Sequence, residues 1–200
     1  MRFKVKETEF KISFSFFALL LLFLTTDTDI KYIFVIVFAL VHEAVHLIFI
    51  NIFSVAPKMV SFTLFGADIL RENNATISNN AEILIHLSAP VFNLLFSGFF
   101  YLMYGFLSKN SLFELFANIN LVLGAFNLIP FYSFDGGNAL YYFFLKYFTN
   151  RTSNIIITCI SVIITIVFSA LAVLVFIKFK NNFSLLFISL YMIFTIIFKK

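Results

Sequence analysis

Two hundred residues would suffice for one soluble domain, yet 62% are hydrophobic, only 12% are charged, and the mean hydropathy is +1.01. That balance lies far from the roughly 45 to 50% apolar content of globular chains and indicates a polytopic membrane protein. The net charge of +4 is scattered over chain ends and loops, with no dense basic stripe for nucleic acid, and a single cysteine, Cys159, excludes an intrachain disulfide or a cysteine-rich metal site.

Taken in order, the chain opens with Arg2, Lys4, Lys6 and Lys11, then an uncharged run over 12–24 and a polar stretch to Asp29. A basic start and an apolar core suit a cleavable signal peptide, but the small-x-small cleavage pattern is missing, so a retained first span over 10–26 is expected. A second span covers 30–53, above the roughly 20 residues a bilayer requires, and Pro57 follows it. Residues 59–65 alternate apolar and polar side chains, the period of a strand, and predict a small strand or hairpin beside the membrane. Further spans are expected over 83–107, 112–130, 155–177 and 183–198, with Ser111 and Glu114 in capping-box spacing at the start of the fourth. Residues 139–148 read as a short aromatic helix at the interface. Two Asn-x-Thr triplets, at Asn74 and Asn150, are too short a pattern to carry a role.

The expected architecture is therefore an all-α polytopic membrane protein of about six transmembrane helices with one small β-element, forming a single membrane-embedded domain over 1–200. With six crossings and both ends in the cytoplasm, ten of the 14 basic residues fall inside, the bias of the positive-inside rule. The same orientation turns the later halves of the second and fourth spans toward the cytoplasm.

Inside the second span stands His42-Glu43-Ala44-Val45-His46. On a helix, positions i and i+4 share a face, so both imidazoles can reach one zinc ion, with Glu43 beside the first ligand as a general base. Polar groups are costly in an otherwise uncharged span, around 2.5 to 3.5 kcal/mol for a charged side chain on insertion scales, which favours a compensating metal. A catalytic zinc needs a third protein ligand, and the candidates are Glu82, His86, Glu114, Asp135 and Cys159. Asp135 is preferred, because Gly136 and Gly137 would let the backbone turn and bring the carboxylate inward. Glu114 is explained more simply as a helix cap, and Asp135 alone would pass for an ordinary turn aspartate.

Two motifs in this order resemble the site-2 protease family of intramembrane zinc metalloproteases. They are His42-Glu43-x-x-His46 in one span and Asn127-x-x-Pro130-x-x-x-x-Asp135-Gly136 at the end of a later one. Ala89-Pro90-Val91-Phe92-Asn93 is similar to the family's Gly-Pro-x-x-Asn element, and the likeness runs from about residue 30 to 145. Without a PDZ or CBS domain, and with Leu64-Phe65-Gly66-Ala67 after the metal helix, the chain looks most like the compact sporulation branch, of the stage IV FB type. It departs from the family where Val45 and Ala89 replace smaller residues and where Ser133-Phe134 stands before Asp135.

The resemblance implies one catalytic Zn2+ held by His42, His46 and Asp135, with Glu43 and Asn127 as catalytic residues. Glu43 would move the proton, and Asn127 would donate to the oxyanion, unless it merely caps its helix before Pro130. The implied partners are the lipid bilayer, a membrane-tethered protein substrate such as a sigma-factor precursor or anti-sigma factor, and membrane regulators, but no nucleic acid. The implied location is a bacterial cell membrane with the site opening toward the cytoplasm. Asn93 is expected to bond across helices, and residues 59–65 to pair with an unwound substrate. A non-catalytic relative that holds membrane segments is disfavoured by the intact ligands and Glu43. A metal transporter is disfavoured by the glutamate beside His42 and by the lack of an internal repeat. A zincin with a downstream glutamate ligand is disfavoured by the setting of Asp135.

Overall fold

The structure is a computed structural model that describes residues 2–5, 8–12, 31–53, 57–63, 66–71, 77–107, 110–178 and 184–198, with side chains from residue 33 onward outside 54–76. Two compact units divide the sequence, Met1–Phe126 and Asn127–Lys200.

In the first unit, four strands form one sheet in the order β1-β2-β3-β4: β1 Arg2–Val5, β2 Thr8–Ile12, β3 Pro57–Thr63 and β4 Gly66–Arg71. β1 and β2 are antiparallel, β2 runs parallel to β3 with Glu9 opposite Met59, and β3 pairs antiparallel with β4, Thr63 opposite Gly66. The expected first span over 10–26 is thereby corrected at its start. Phe10, Lys11 and Ile12 continue the alternation of Thr8-Glu9-Phe10-Lys11-Ile12 and lie in β2, while 13–26 falls outside the described residues.

Six helices occur among the described residues: α1 Lys31–Ile52, α2 Asn79–Phe106, α3 Ser111–Asn127, α4 Asp135–Phe144, α5 Asn150–Lys178 and α6 Ser184–Ile197. Three of them, α1, α2 and α5, are long and apolar enough to cross a membrane. At about 1.5 Å per residue, α3 with 17 residues and α6 with 14 fall short of the ~30 Å hydrocarbon core. Six full spans are therefore more than the described helices supply.

Local chemistry sets the helix ends. Ser78 caps α2 by accepting from the Ala81 N–H at 3.3 Å. At α3 the cap is Asn110, whose side-chain oxygen accepts from the Leu112 N–H at 3.0 Å, rather than Ser111, which is already helical.

Within the first unit, α1, α2 and α3 are joined by phenylalanines: Phe38 meets Phe100 at 5.9 Å and Phe116 at 5.3 Å, and Phe34 meets Phe116 at 4.7 Å, all edge-to-face. Such pairs contribute about 0.5 to 1.5 kcal/mol each beyond area burial, a useful term where lipid is as apolar as the core. Ile50 and Ile85 form a second contact, flanked by Phe49, Phe53 and Ile77.

The seam between α2 and α3 is polar and tight. Ser97 donates to the Ala117 carbonyl at 2.8 Å, and Gly124 lies against the Pro90 carbonyl. The cross-helix bond expected of Asn93 is not made. Asn93 is fully buried and both its amide atoms lack a partner among the described residues, while the bond across this seam is made by Ser97, one turn later.

In the second unit, Ser153, Ile157, Ser161 and Thr165 form a buried i, i+4 stripe along α5. The Ser161 and Thr165 hydroxyls bond back to the carbonyls four residues earlier, at 2.7 and 2.8 Å, while the buried Ser153 hydroxyl has no partner among the described residues.

Candidate metal centre

The period of α1 builds the first half of the site. Phe38, His42, His46 and Ile50 recur every four residues and are all buried, whereas Leu40, Ala44 and Ile48 on other faces are exposed. His42 and His46 are 4% and 6% exposed, too little for water alone to satisfy two imidazoles. Their rings stand nearly perpendicular with centroids 5.0 Å apart, and their ligating nitrogens lie within 4.8 Å of each other. Glu43 is half-buried on the adjacent face. Val45 is buried beside His46 and displaces neither histidine from the face.

One contact orients His46. Its Nδ1 lies 2.9 Å from the Ile85 carbonyl of α2, and because a carbonyl only accepts, Nδ1 carries the proton. Nε2 is then the lone-pair nitrogen, the tautomer a metal ligand requires. The Ile85 carbonyl also accepts from the Ser88 hydroxyl at 2.6 Å, and Pro90 interrupts the helix ladder just beyond, removing the N–H that would reach the His86 carbonyl. Sequence reasoning missed this carbonyl, since a backbone acceptor has no residue-type signature. The nearby Pro90 was the available signal. His86 is half-buried, its ring 6.4 Å from that of His46.

The remaining ligand candidates separate by exposure. Glu114 and Cys159 are exposed and Glu82 is buried in the first turn of α2. Asn127 is the last residue of α3, half-buried.

In the second unit, Asp135 is the first residue of α4, half-buried, where the positive end of the helix dipole favours a carboxylate. Phe134 precedes it in extended conformation, φ −102° and ψ 164°. The turn that delivers it closes through Phe131 N–H to Ile129 O at 2.7 Å and Phe134 N–H to Phe131 O at 2.8 Å.

The expected use of Gly136 and Gly137 is corrected here. They lie inside the helix and do not turn the backbone. A Cβ on Gly136 would stand 2.2 Å from the Leu128 carbonyl oxygen, and one on Gly137 1.9 Å from that of Phe131. The glycines allow the first turn of α4 to lie directly on the preceding backbone, which starts the helix four residues before the expected 139. Burial pushes the Tyr132 phenol of the same turn above its usual range, against a smaller opposing effect of its bond to Thr195, so it remains a donor.

As a donor set, the imidazoles of His42 and His46 and the Asp135 carboxylate could hold a metal ion, and two nitrogens with one oxygen is the composition of an open zinc site. No family model and no curated protein matches the sequence. Among solved structures, the Site-2 Protease from Methanocaldococcus jannaschii is similar, with a TM-score of 0.72 and 20% identity over 98% of this chain and 93% of that one. At that identity the likeness bears on architecture, and the protein has the fold of a site-2 protease.

Proposed function

We propose that the protein is an intramembrane zinc metalloprotease that hydrolyses a peptide bond within or next to a transmembrane segment of a membrane-tethered protein. The observation that carries the proposal is the buried His42 and His46 pair, with His46 fixed through Nδ1 by the Ile85 carbonyl, in a molecule with a site-2 protease fold. His42, His46 and Asp135 are the proposed ligands. Zinc, when bound, would supply a Lewis acid that polarises a carbonyl and brings the pKa of a water down toward neutrality. Glu43 then accepts the proton of the attacking water and passes it to the leaving amine, while the Ile85 carbonyl keeps His46 in one tautomer. Asn127 is assigned to the oxyanion, where a carboxamide N–H can donate.

The apolar helices support a membrane location, and the distribution of basic residues supports a multi-pass arrangement with both ends and the site opening in the cytoplasm. Six crossings in one domain belong to the same proposal, with spans shorter than the bilayer at α3 and α6 accommodated by local thinning. The narrower sporulation role, cleavage of a sigma-factor precursor or anti-sigma factor under a membrane regulator, rests on Leu64 to Ala67 alone.

Co-expression with a tethered reporter tests the reading. Glu43→Gln should lower cleavage by about 10²- to 10⁴-fold, the range of general acid-base catalysis, with zinc content unchanged. Persistent cleavage at equal expression would remove Glu43 as the base. Asp135→Asn should lose most of the bound zinc, and undiminished zinc would take Asp135 out of the ligand set.

A further inference from the structure

The seam between α2 and α3 buries two carboxamides whose bonding capacity is mostly unused. Asn93 stands near the middle of α2, a helix long and apolar enough to cross a membrane, and neither of its amide atoms has a partner among the described residues. Asn120 on α3 is 1% exposed. Its Nδ2 donates to the Phe116 carbonyl one turn back at 2.8 Å, but its Oδ1 has no partner among the described residues. Two contacts fix how the pair faces. Gly124 lies against the Pro90 carbonyl, and the Ser97 hydroxyl donates to the Ala117 carbonyl, so α2 and α3 run antiparallel. Asn93, between Pro90 and Ser97, therefore comes opposite Asn120, between Ala117 and Gly124.

The same reasoning gives the depth. Phe38 of α1 meets Phe100 of α2 and Phe116 of α3, and His46 meets the Ile85 carbonyl, so α1 runs antiparallel to α2 and parallel to α3. His42 follows Phe38 by one turn on the same buried face, and Asn120 follows Phe116 by one turn. Along α2, Asn93 falls between Ile85 and Phe100. The two carboxamides thus lie level with His42.

An occupant of this seam must be neutral, small, and both donor and acceptor. Asn93 offers an oxygen and two N–H groups, and Asn120 an oxygen, with no charge on either to hold an ion. Residues 0% and 1% exposed leave no opening for a larger molecule. A water molecule meets these terms: it accepts from the Asn93 Nδ2 and donates to the Asn120 Oδ1, and a second can donate to the Asn93 oxygen. Ala89 and Ala117, fully buried one turn before each asparagine, keep the flanks of the seam small.

We propose that the seam binds one or two water molecules between Asn93 and Asn120, level with His42, and that this bridge joins α2 to α3 where no direct side-chain bond does. The site stands on the two carboxamides and does not depend on the protease reading. Polar groups at mid-span are costly until partnered, and water reaching both asparagines offsets that cost.

Water-to-protein polarisation transfer in solid-state NMR tests it, with full-length protein labelled with 15N at asparagine and alanine in nanodiscs. The Asn93 Nδ2 signal is assigned by its loss in Asn93→Ser. It should build up about fivefold or more faster than the backbone amide of Ala172, a buried residue of α5, as a group bonded to water does. Asn120→Leu, which fills the space and removes the acceptor, should return Asn93 to the Ala172 rate, whereas Asn120→Ser, which keeps an acceptor hydroxyl, should leave it fast. An Asn93 rate equal to that of Ala172 in the wild type, as a direct bond between the carboxamides would give, overturns the site. So does a rate indifferent to Asn120→Leu, or one that Asn120→Ser lowers as far as leucine does. Should Asn120→Leu fold poorly, the wild-type rate and the serine variant still decide.

Discussion

The two halves of the candidate centre are built by opposite means. On α1, side chains define the site: four buried residues at i, i+4 spacing carry His42 and His46, and one carbonyl from α2 fixes a ring. On α4, missing side chains define it. Gly136 and Gly137 each cost about 1 kcal/mol of helix propensity relative to alanine, and in return the first turn rests on the carbonyls of Leu128 and Phe131. A histidine pair thus tolerates changes around it as long as the face persists, whereas the carboxylate depends on backbone contact and has little slack.

The largest effect that probes this difference is expected from Gly137→Ala. The added methyl would stand 1.9 Å from the Phe131 oxygen and 2.8 Å from the Tyr132 nitrogen, both backbone atoms that cannot rotate away. Relief requires a shift of the α4 start, at about 1 to 3 kcal/mol typical of overpacking, and Asp135 moves with it. Cleavage should fall at least tenfold and zinc content should drop, read by metal analysis and thermal melting. Ala44→Ser, on the exposed face of α1, is the matched control. If Gly137→Ala retained full zinc and activity, the backbone contact would not be what places Asp135.

That asymmetry also explains what could be read in advance. The α1 face was legible because period and residue type coincide: histidines at i and i+4 within an apolar run admit one arrangement. The identity of Asp135 as a candidate was legible from its neighbours, but its placement was not. A Gly-Gly pair after an aspartate reads as a turn, and only the distances to Leu128 and Phe131 show glycines chosen for close contact within a helix. β2 was hidden for another reason. Phe10 and Ile12 run without a break into the apolar residues 13–24, so the end of the strand shares one hydropathy signal with the sequence that follows it. The Asn110 cap was obscured by a better-known pattern one residue later.

The smaller test asks whether the glycine rule extends beyond the site, and it uses two glycines of the first unit with different surroundings. A Cβ on Gly124 would lie 2.9 Å from the Pro90 carbonyl oxygen and 3.1 Å from the Leu94 side chain, while one on Gly98 would meet nothing within 4 Å. Leu94 can rotate but the Pro90 carbonyl cannot, so Gly124→Ala should separate α3 from α2 slightly and destabilise by about 1 kcal/mol, the low end of overpacking costs. Gly98→Ala meets no such opposition and gains helix propensity, with stabilisation of up to about 1 kcal/mol. Thermal melting of the two variants in the same nanodiscs should move in opposite directions. If both fell equally, propensity and close approach would not separate these glycines, and the rule seen at Gly136 and Gly137 would not extend to the first unit. If only Gly124→Ala fell, the seam that carries Pro90, and through α2 the Ile85 carbonyl on His46, would be tied to the same kind of backbone contact that places Asp135.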